Sequence, residues 1–141
     1  MKTNEQEWKE LENTISEMST IILSDSDTEQ EEETGRIYRP KNVKIALALL
    51  PIFKETCGSV YPLPRVRTSH DGSIKFRWVN RHTLSAVTCS IRVEEEYEVD
   101  ISKYIVHGET TFHLFSFSVE HQENKEFIAK MLAECLKDAF K

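Results

Sequence analysis

The chain has 141 residues, of which 39% are hydrophobic and 30% charged, and its formal net charge is -6. That length favours one domain with a hydrophobic core of its own. The sequence has no apolar run near the ~20 residues that a membrane-spanning helix needs, and its first residues lack the apolar stretch of a secretion signal. We therefore expect a cytoplasmic protein without membrane contacts.

The charge is divided into three blocks along the chain. Residues 1–35 carry 11 acids and 2 lysines, residues 36–92 carry 11 cations and 2 acids, and residues 93–141 carry 11 acids and 5 lysines. The net charges of the blocks are therefore -9, +9 and -6. The basic central block is suited to bind either an acidic partner or the acidic flanks of the chain itself.

Cys57, Cys89 and Cys135 are widely separated and form no Cys-x-x-Cys pair, which argues against a disulfide framework and against a zinc ribbon. Cys57 precedes Gly58 and is the one thiol expected to be exposed, so a small hydrolase using Cys57 is the enzymatic alternative. The histidines at positions 107, 113 and 121 match no metal-ligand spacing. We expect no metal, no cofactor and no catalytic residues.

The first predicted helix covers about residues 3–20. Its apolar residues Trp8, Leu11, Ile15 and Met18 recur at spacings of three and four and form a narrow stripe. Three interpretations are open: the stripe packs on the chain's own domain, it joins two copies as a homodimer, or the helix is an unattached tail.

Residues 24–35 contain no large apolar side chain and are rich in acids, so we predict a disordered linker there. The expected organisation is an N-terminal amphipathic helix at residues 1–23, this acidic linker, and a domain at residues 36–141. A second helix is predicted at residues 40–57, between Pro40 at its first turn and Gly58 as its C-terminal cap. Pro51 inside it predicts a kink or a break, and we expect this helix to lie across a sheet.

A hairpin is predicted at residues 62–78, with its turn at Asp71-Gly72 because glycine adopts the positive φ of such turns. On the return strand Ile74, Phe76 and Trp78 alternate with Lys75 and Arg77, which predicts one buried and one exposed face.

The motif DGSIKFRW at residues 71–78 resembles a group of small, mostly uncharacterised bacterial proteins with an Asp-Gly-x-Ile-x-Phe/Leu-x-Trp hairpin, some of them associated with toxin–antitoxin operons. The resemblance covers about residues 62–101. It implies no catalytic residues, and it implies an antitoxin, immunity or inhibitor role. The group is commonly acidic just before the tryptophan, where this chain has Lys75 and Arg77.

Two further alternating runs, at residues 84–93 and 97–101, predict strands whose apolar rows include Val87, Cys89 and Ile91. Residues 110–119 are apolar on both faces, which predicts a central or covered strand, and residues 121–141 form an amphipathic helix. The predicted fold is α+β: an antiparallel meander of four to five strands with helices packed on one face.

The candidate binding residues are basic and lie on or beside the predicted hairpin and the following strand: Arg65, Arg67, Lys75, Arg77, Arg81 and Arg92. One interpretation is that Arg92 and its neighbours pair with Glu96, Glu98 and Asp100 on the adjacent strand. A second is that the basic face binds a protein partner. Nucleic acid is less favoured because the aromatic side chains alternate onto the buried face and cannot stack on bases. We therefore predict a non-enzymatic protein-interaction module.

Overall fold

A computed structural model describes residues 4–24, 40–68, 72–93, 97–106, 108–115, 117–118 and 120–141. Within them the chain forms three helices and one five-stranded antiparallel sheet, which confirms the predicted α+β class. The elements are α1 (Asn4–Ser24), α2 (Pro40–Cys57), β1 (Arg65–Thr68), β2 (Ile74–Val79), β3 (Ala86–Val93), β4 (Tyr97–Ile105), β5 (Gly108–Phe115) and α3 (Gln122–Ala139). Residues 25–35 of the predicted linker lie outside this description.

The sheet is a meander in which each strand pairs with the next, in the order β1-β2-β3-β4-β5. The predicted hairpin forms β1 and β2, with Arg65 opposite Arg77 and Thr68 opposite Ile74. Gly72 has a φ of 86°, a left-handed conformation that glycine adopts without strain. This register fixes which side chains of the hairpin share a face.

One face of the sheet forms the core. Ile74, Phe76 and Trp78 of β2 are all buried, with exposures of 1%, 0% and 0%. The Phe53 ring of α2 makes edge-to-face contacts with Phe76 and Trp78, at centroid distances of 4.9 and 5.3 Å. The predicted burial of this apolar row against a helix is confirmed.

Helix α2 runs through Pro51 without a break, so the predicted break is absent. Proline removes one helical hydrogen bond, but the helix buries Leu49, Leu50 and Phe53 around this point, and that burial offsets the loss. The helix ends as predicted at Gly58, whose φ is 53° and whose N–H donates to the carbonyl of Lys54 at 3.0 Å.

Helix α1 lies antiparallel on α2. The Asn4 side chain donates to the carbonyl of Gly58 at 3.2 Å, so the start of α1 lies beside the end of α2. Trp8 and Ile15 are buried, at 4% and 0% exposure, and belong to the same apolar cluster as the sheet. The apolar stripe of α1 therefore packs on the chain's own domain, with Leu11 partly buried against the cluster. The side chain of Met18 lies outside the description, and a homodimer through this stripe stays a prediction.

Strand β5 stands at the end of the sheet order, so of the two predicted alternatives, a central or a covered strand, the central position is wrong. Its apolar content has another cause: Phe112 and Leu114 pack against the core, while Phe117 is buried beyond the end of the strand.

Helix α3 covers the same face of the sheet through Ile128, Leu132, Cys135 and Leu136. None of the helices described here is both long and apolar enough to cross a membrane.

Candidate functional site: the open face of the sheet

The sheet has a second face, called here the open face, which points away from the three helices. Since side chains alternate along a strand, its members follow from the register with the buried row. Among the described side chains they are Arg65, Arg67, Lys75, Arg77, Val79, Ala86, Thr88, Ser90, Arg92, Glu98, Asp100, Ser102, Tyr104, Glu109, Thr111 and His113. Most of them are polar.

The edge of the open face formed by β1 and β2 carries four exposed cations, called here the basic patch: Arg65, Arg67, Lys75 and Arg77. Arg65 lies directly opposite Arg77, and Arg67 directly opposite Lys75. Directly opposed side chains of neighbouring strands have Cβ atoms about 5 Å apart, so each pair places like charges side by side. Among the described residues no carboxylate forms an ion pair with any of the four.

A different arrangement occupies the opposite end of the open face, where Arg92 of β3 meets Glu98 and Asp100 of β4. The Arg92 guanidinium lies 3.0 Å from Glu98 Oε1 and 2.5 Å from Asp100 Oδ2. The predicted cross-strand pairing is therefore confirmed for these two acids, while Glu96 lies outside the described residues. Arg92 is thus engaged with carboxylates and does not extend the basic patch.

His113 of β5 joins the same network. Its Nδ1 lies 3.0 Å from Glu98 Oε1 and 2.6 Å from Asp100 Oδ1, so both carboxylates are shared between an imidazole and a guanidinium. The hydrogen bonds with Glu98 and then Asp100 raise the pKa of His113 above its ordinary value. Asp100 is 6% exposed, which makes its two partners important for holding a charge there.

The ligand atoms of Glu98, Asp100 and His113 lie within 4.8 Å of one another, close enough to hold a metal ion. The spacing of His113 from the histidines at positions 107 and 121 does not predict this group. The strand register does, because it places His113 directly opposite Asp100. The guanidinium of Arg92 already pairs with both carboxylates, so this arrangement fits an ion-pair network better than a cation site.

Hydroxyl side chains separate the two ends of the open face. One row across all five strands runs Arg67, Lys75, Ser90, Asp100, His113, and the next runs Arg65, Arg77, Thr88, Ser102, Thr111. Neighbouring strands lie about 4.8 Å apart, so the backbone of Lys75 stands about 10 Å from that of Asp100, and the two described side chains form no ion pair. Ser102 and Thr111 hydrogen-bond to each other at 2.9 Å. The basic patch is therefore not neutralised by the acids of its own face.

The remaining candidate residues lie elsewhere. Arg81 is exposed in the turn after β2, beyond the end of the basic patch.

Cys57 is 1% exposed, so the expectation of an exposed thiol is wrong. Burial raises the pKa of the Cys57 thiol to about 11, which keeps it protonated and unreactive near neutral pH. Cys57 lies one helical turn after Phe53, on the buried side of α2, and that spacing alone would predict that the thiol is buried.

A groove of about 740 Å³ lies between α1 and α2. Its apolar floor includes Leu47, Leu50 and Pro51, and its rim carries Lys9, Glu12 and the Lys54–Glu5 ion pair at 3.6 Å. The charges of the rim alternate in sign, so the groove selects no particular ligand charge. The basic patch, whose charged residues are all cations, favours anionic ligands and is therefore the more selective surface of the two.

A scan against protein-family models, a search of curated proteins and a search of solved structures each returned no match for this chain.

Proposed function

We propose that the protein is a non-enzymatic interaction module and that its basic patch binds an acidic segment of a partner protein. The observation that carries this proposal is that like charges stand directly opposite each other on β1 and β2, Arg65 opposite Arg77 and Arg67 opposite Lys75. Opposed like charges destabilise a sheet, and a carboxylate-rich ligand lying across both strands would convert that repulsion into attraction.

The position of the patch also supports this proposal. Strand β1 is the first in the sheet order and is only four residues long, so cations on it are open to a ligand from the side as well as from above. Arginine presents a planar fork that binds carboxylates in a bidentate manner, and three of the four cations are arginines. An inhibitor role such as that of an antitoxin, implied by the hairpin resemblance, would use such a surface.

Two other functions are less well supported. Single-stranded nucleic acid is usually bound by aromatic side chains placed among the cations, whereas Tyr104, an exposed aromatic side chain of the open face, lies two strands from β2. A hydrolase using Cys57 would need a thiolate, which the burial of that residue disfavours.

The test is the binding of a fluorescein-labelled decaglutamate peptide to the full chain at low salt, measured by fluorescence anisotropy. The test variant is R65Q/R67Q/K75Q/R77Q. The control K125Q/K130Q/K137Q/K141Q removes the same charge from α3 and the C-terminal end. We expect the first variant to lose at least about tenfold in affinity and the control to lose much less, since only the first removes direct contacts.

Equal losses in the two variants would show that net charge alone attracts the peptide and would overturn the proposal. Preferential binding of an oligothymidine of about 20 nucleotides, with the same dependence on the patch, would replace the acidic protein segment with nucleic acid as the ligand.

A further inference from the structure

We infer that the acidic segment at residues 25–33 of this chain binds the basic patch and so competes with the partner. The inference rests on the proposed function only for the identity of the surface. It makes the patch a regulated site, because any acidic partner must displace a ligand that the chain already carries.

The described chain resumes beside the hairpin that carries the patch, seven positions after the end of this segment. Pro40 begins α2, and the Asn42 side chain donates to the carbonyl oxygen of Gly72 at 2.7 Å. Gly72 lies at the tip of the hairpin whose strands carry the patch. The chain therefore enters α2 at the end of the hairpin, two residues from a direct contact with its turn.

Helix α1, which ends at Ser24 just before the segment, ends on the same side of the molecule. The contacts of Asn4 with Gly58 and of Glu5 with Lys54 make α1 antiparallel to α2. The C-terminal end of α1, at Ser24, therefore points towards the N-terminal end of α2. Ser24 and Pro40, the described residues that flank the segment, are thus both on the side of the molecule where the hairpin tip lies.

The chain between Glu33 and Pro40 is long enough for the acidic segment to reach the basic patch. Pro40 follows Glu33 by seven positions, and an extended chain covers about 3.4 Å per residue, or about 24 Å in total. Lys75 follows Gly72 by three residues, about 10 Å along the strand, and the helix layer lies about 10 Å from the sheet. The carboxylates of residues 31–33 can therefore reach Lys75 and its opposite neighbour Arg67.

The charges are complementary. Residues 25–33 contain six acids and no cation, namely Asp25, Asp27, Glu29, Glu31, Glu32 and Glu33. The basic patch offers four cations that form no ion pair among the described residues. A segment tethered at this distance has an effective concentration of the order of millimolar, so even weak pairing occupies the patch for much of the time.

The experiment compares the full chain with the variant E31Q/E32Q/E33Q. The control E120Q/E123Q/E126Q removes the same charge from exposed positions at the start of α3. Amide resonances of Arg65, Arg67, Lys75 and Arg77 are recorded at about 10 mM and about 1 M salt, between which the screening length falls from about 30 to about 3 Å. We expect the first variant to shift these resonances at low salt, the difference to shrink at high salt, and the control to leave them in place.

Two results would overturn the inference. One is an unchanged position of the four resonances in E31Q/E32Q/E33Q at low salt. The other is a change confined to Arg36, Arg39 and Lys41, which would mean that the segment pairs with the cations next to it in sequence. Neither result depends on whether an external acidic peptide binds.

The decaglutamate assay separates the inference from the proposed function. If both hold, E31Q/E32Q/E33Q binds the peptide about threefold to tenfold more tightly than the unmodified chain, because the internal competitor is weakened. If the patch variant loses the peptide while E31Q/E32Q/E33Q binds it as the unmodified chain does, the proposed function stands and the internal competition is wrong. If the resonances shift as expected but no peptide binds even to E31Q/E32Q/E33Q, the segment docks on the patch and the proposed function is wrong.

Discussion

The side-chain amide of Asn42 donates a hydrogen bond of 2.7 Å to the carbonyl oxygen of Gly72, and this contact joins the start of α2 to the tip of the β1–β2 hairpin. Both residues are buried. The bond couples the helix layer to the strands that carry the basic patch. It also lies two residues after Pro40, where the described chain resumes after the acidic residues 25–33.

We expect Asn42→Ala to lower the free energy of unfolding by about 1–3 kcal/mol, because it leaves a buried carbonyl without its donor. The control Asn4→Ala removes a similar side-chain bond, to Gly58, at an exposed position, and its effect should be much smaller. Urea denaturation of the two variants measures the difference. Equal effects would mean that the Asn42 contact adds no more to stability than a surface bond.

Trp78 is fully buried against Phe53. We expect Trp78→Ala to cost about 3–5 kcal/mol of unfolding free energy, the range for truncating an aromatic residue in a core. Val79→Ala is the control, since its side chain is 37% exposed on the open face of the same strand. A loss from Trp78→Ala as small as that of the control would show that the hairpin does not depend on this face.

Ile15 of α1 has no exposed surface, so we expect Ile15→Ala to lower the free energy of unfolding by about 2–5 kcal/mol. Since the helix packs on its own domain, the urea midpoint of the unmodified chain should not change with protein concentration. A midpoint that rises with concentration would instead favour the homodimer through Trp8, Leu11, Ile15 and Met18.

The network of Glu98, Asp100 and His113 predicts a specific dependence of stability on pH. The folded-state pKa of His113 is raised, so the stabilisation by its protonated form is complete below the unfolded pKa, near 6.5, and disappears as pH rises through the raised value. We expect His113→Gln to be destabilising at pH 5 relative to the unmodified chain, with a difference that shrinks towards pH 9. In an Asp100→Asn background the same substitution should show a weaker pH dependence. A difference that is constant with pH would contradict the assignment.

Much of the fold was predictable because local patterns agree with the tertiary structure. The alternation of Ile74, Phe76 and Trp78 with Lys75 and Arg77 gives the two faces of β2, and Pro40 and Gly58 mark both ends of α2. The edge position of β5 was missed, since an apolar residue such as Phe117 can be buried beyond the end of a strand.

The site was only partly predictable, because its geometry depends on strand register. The basic residues were evident from the sequence, but their grouping required the pairing of Arg67 with Lys75 across the hairpin. The partners of His113 depend on the β4–β5 turn, where Ile105 lies opposite Gly108. Counting outwards from that turn places His113 opposite Asp100, so the position of the turn alone would predict the network.

The most direct test of the basic patch as a binding surface is a titration of the ¹⁵N-labelled full chain with unlabelled decaglutamate at low salt. We expect the largest amide shifts in β1 and β2, at Arg65, Arg67, Lys75 and Arg77, and we expect these shifts to be lost in R65Q/R67Q/K75Q/R77Q. Shifts concentrated on α3 or in the groove between α1 and α2, with β1 and β2 unchanged, would contradict this expectation.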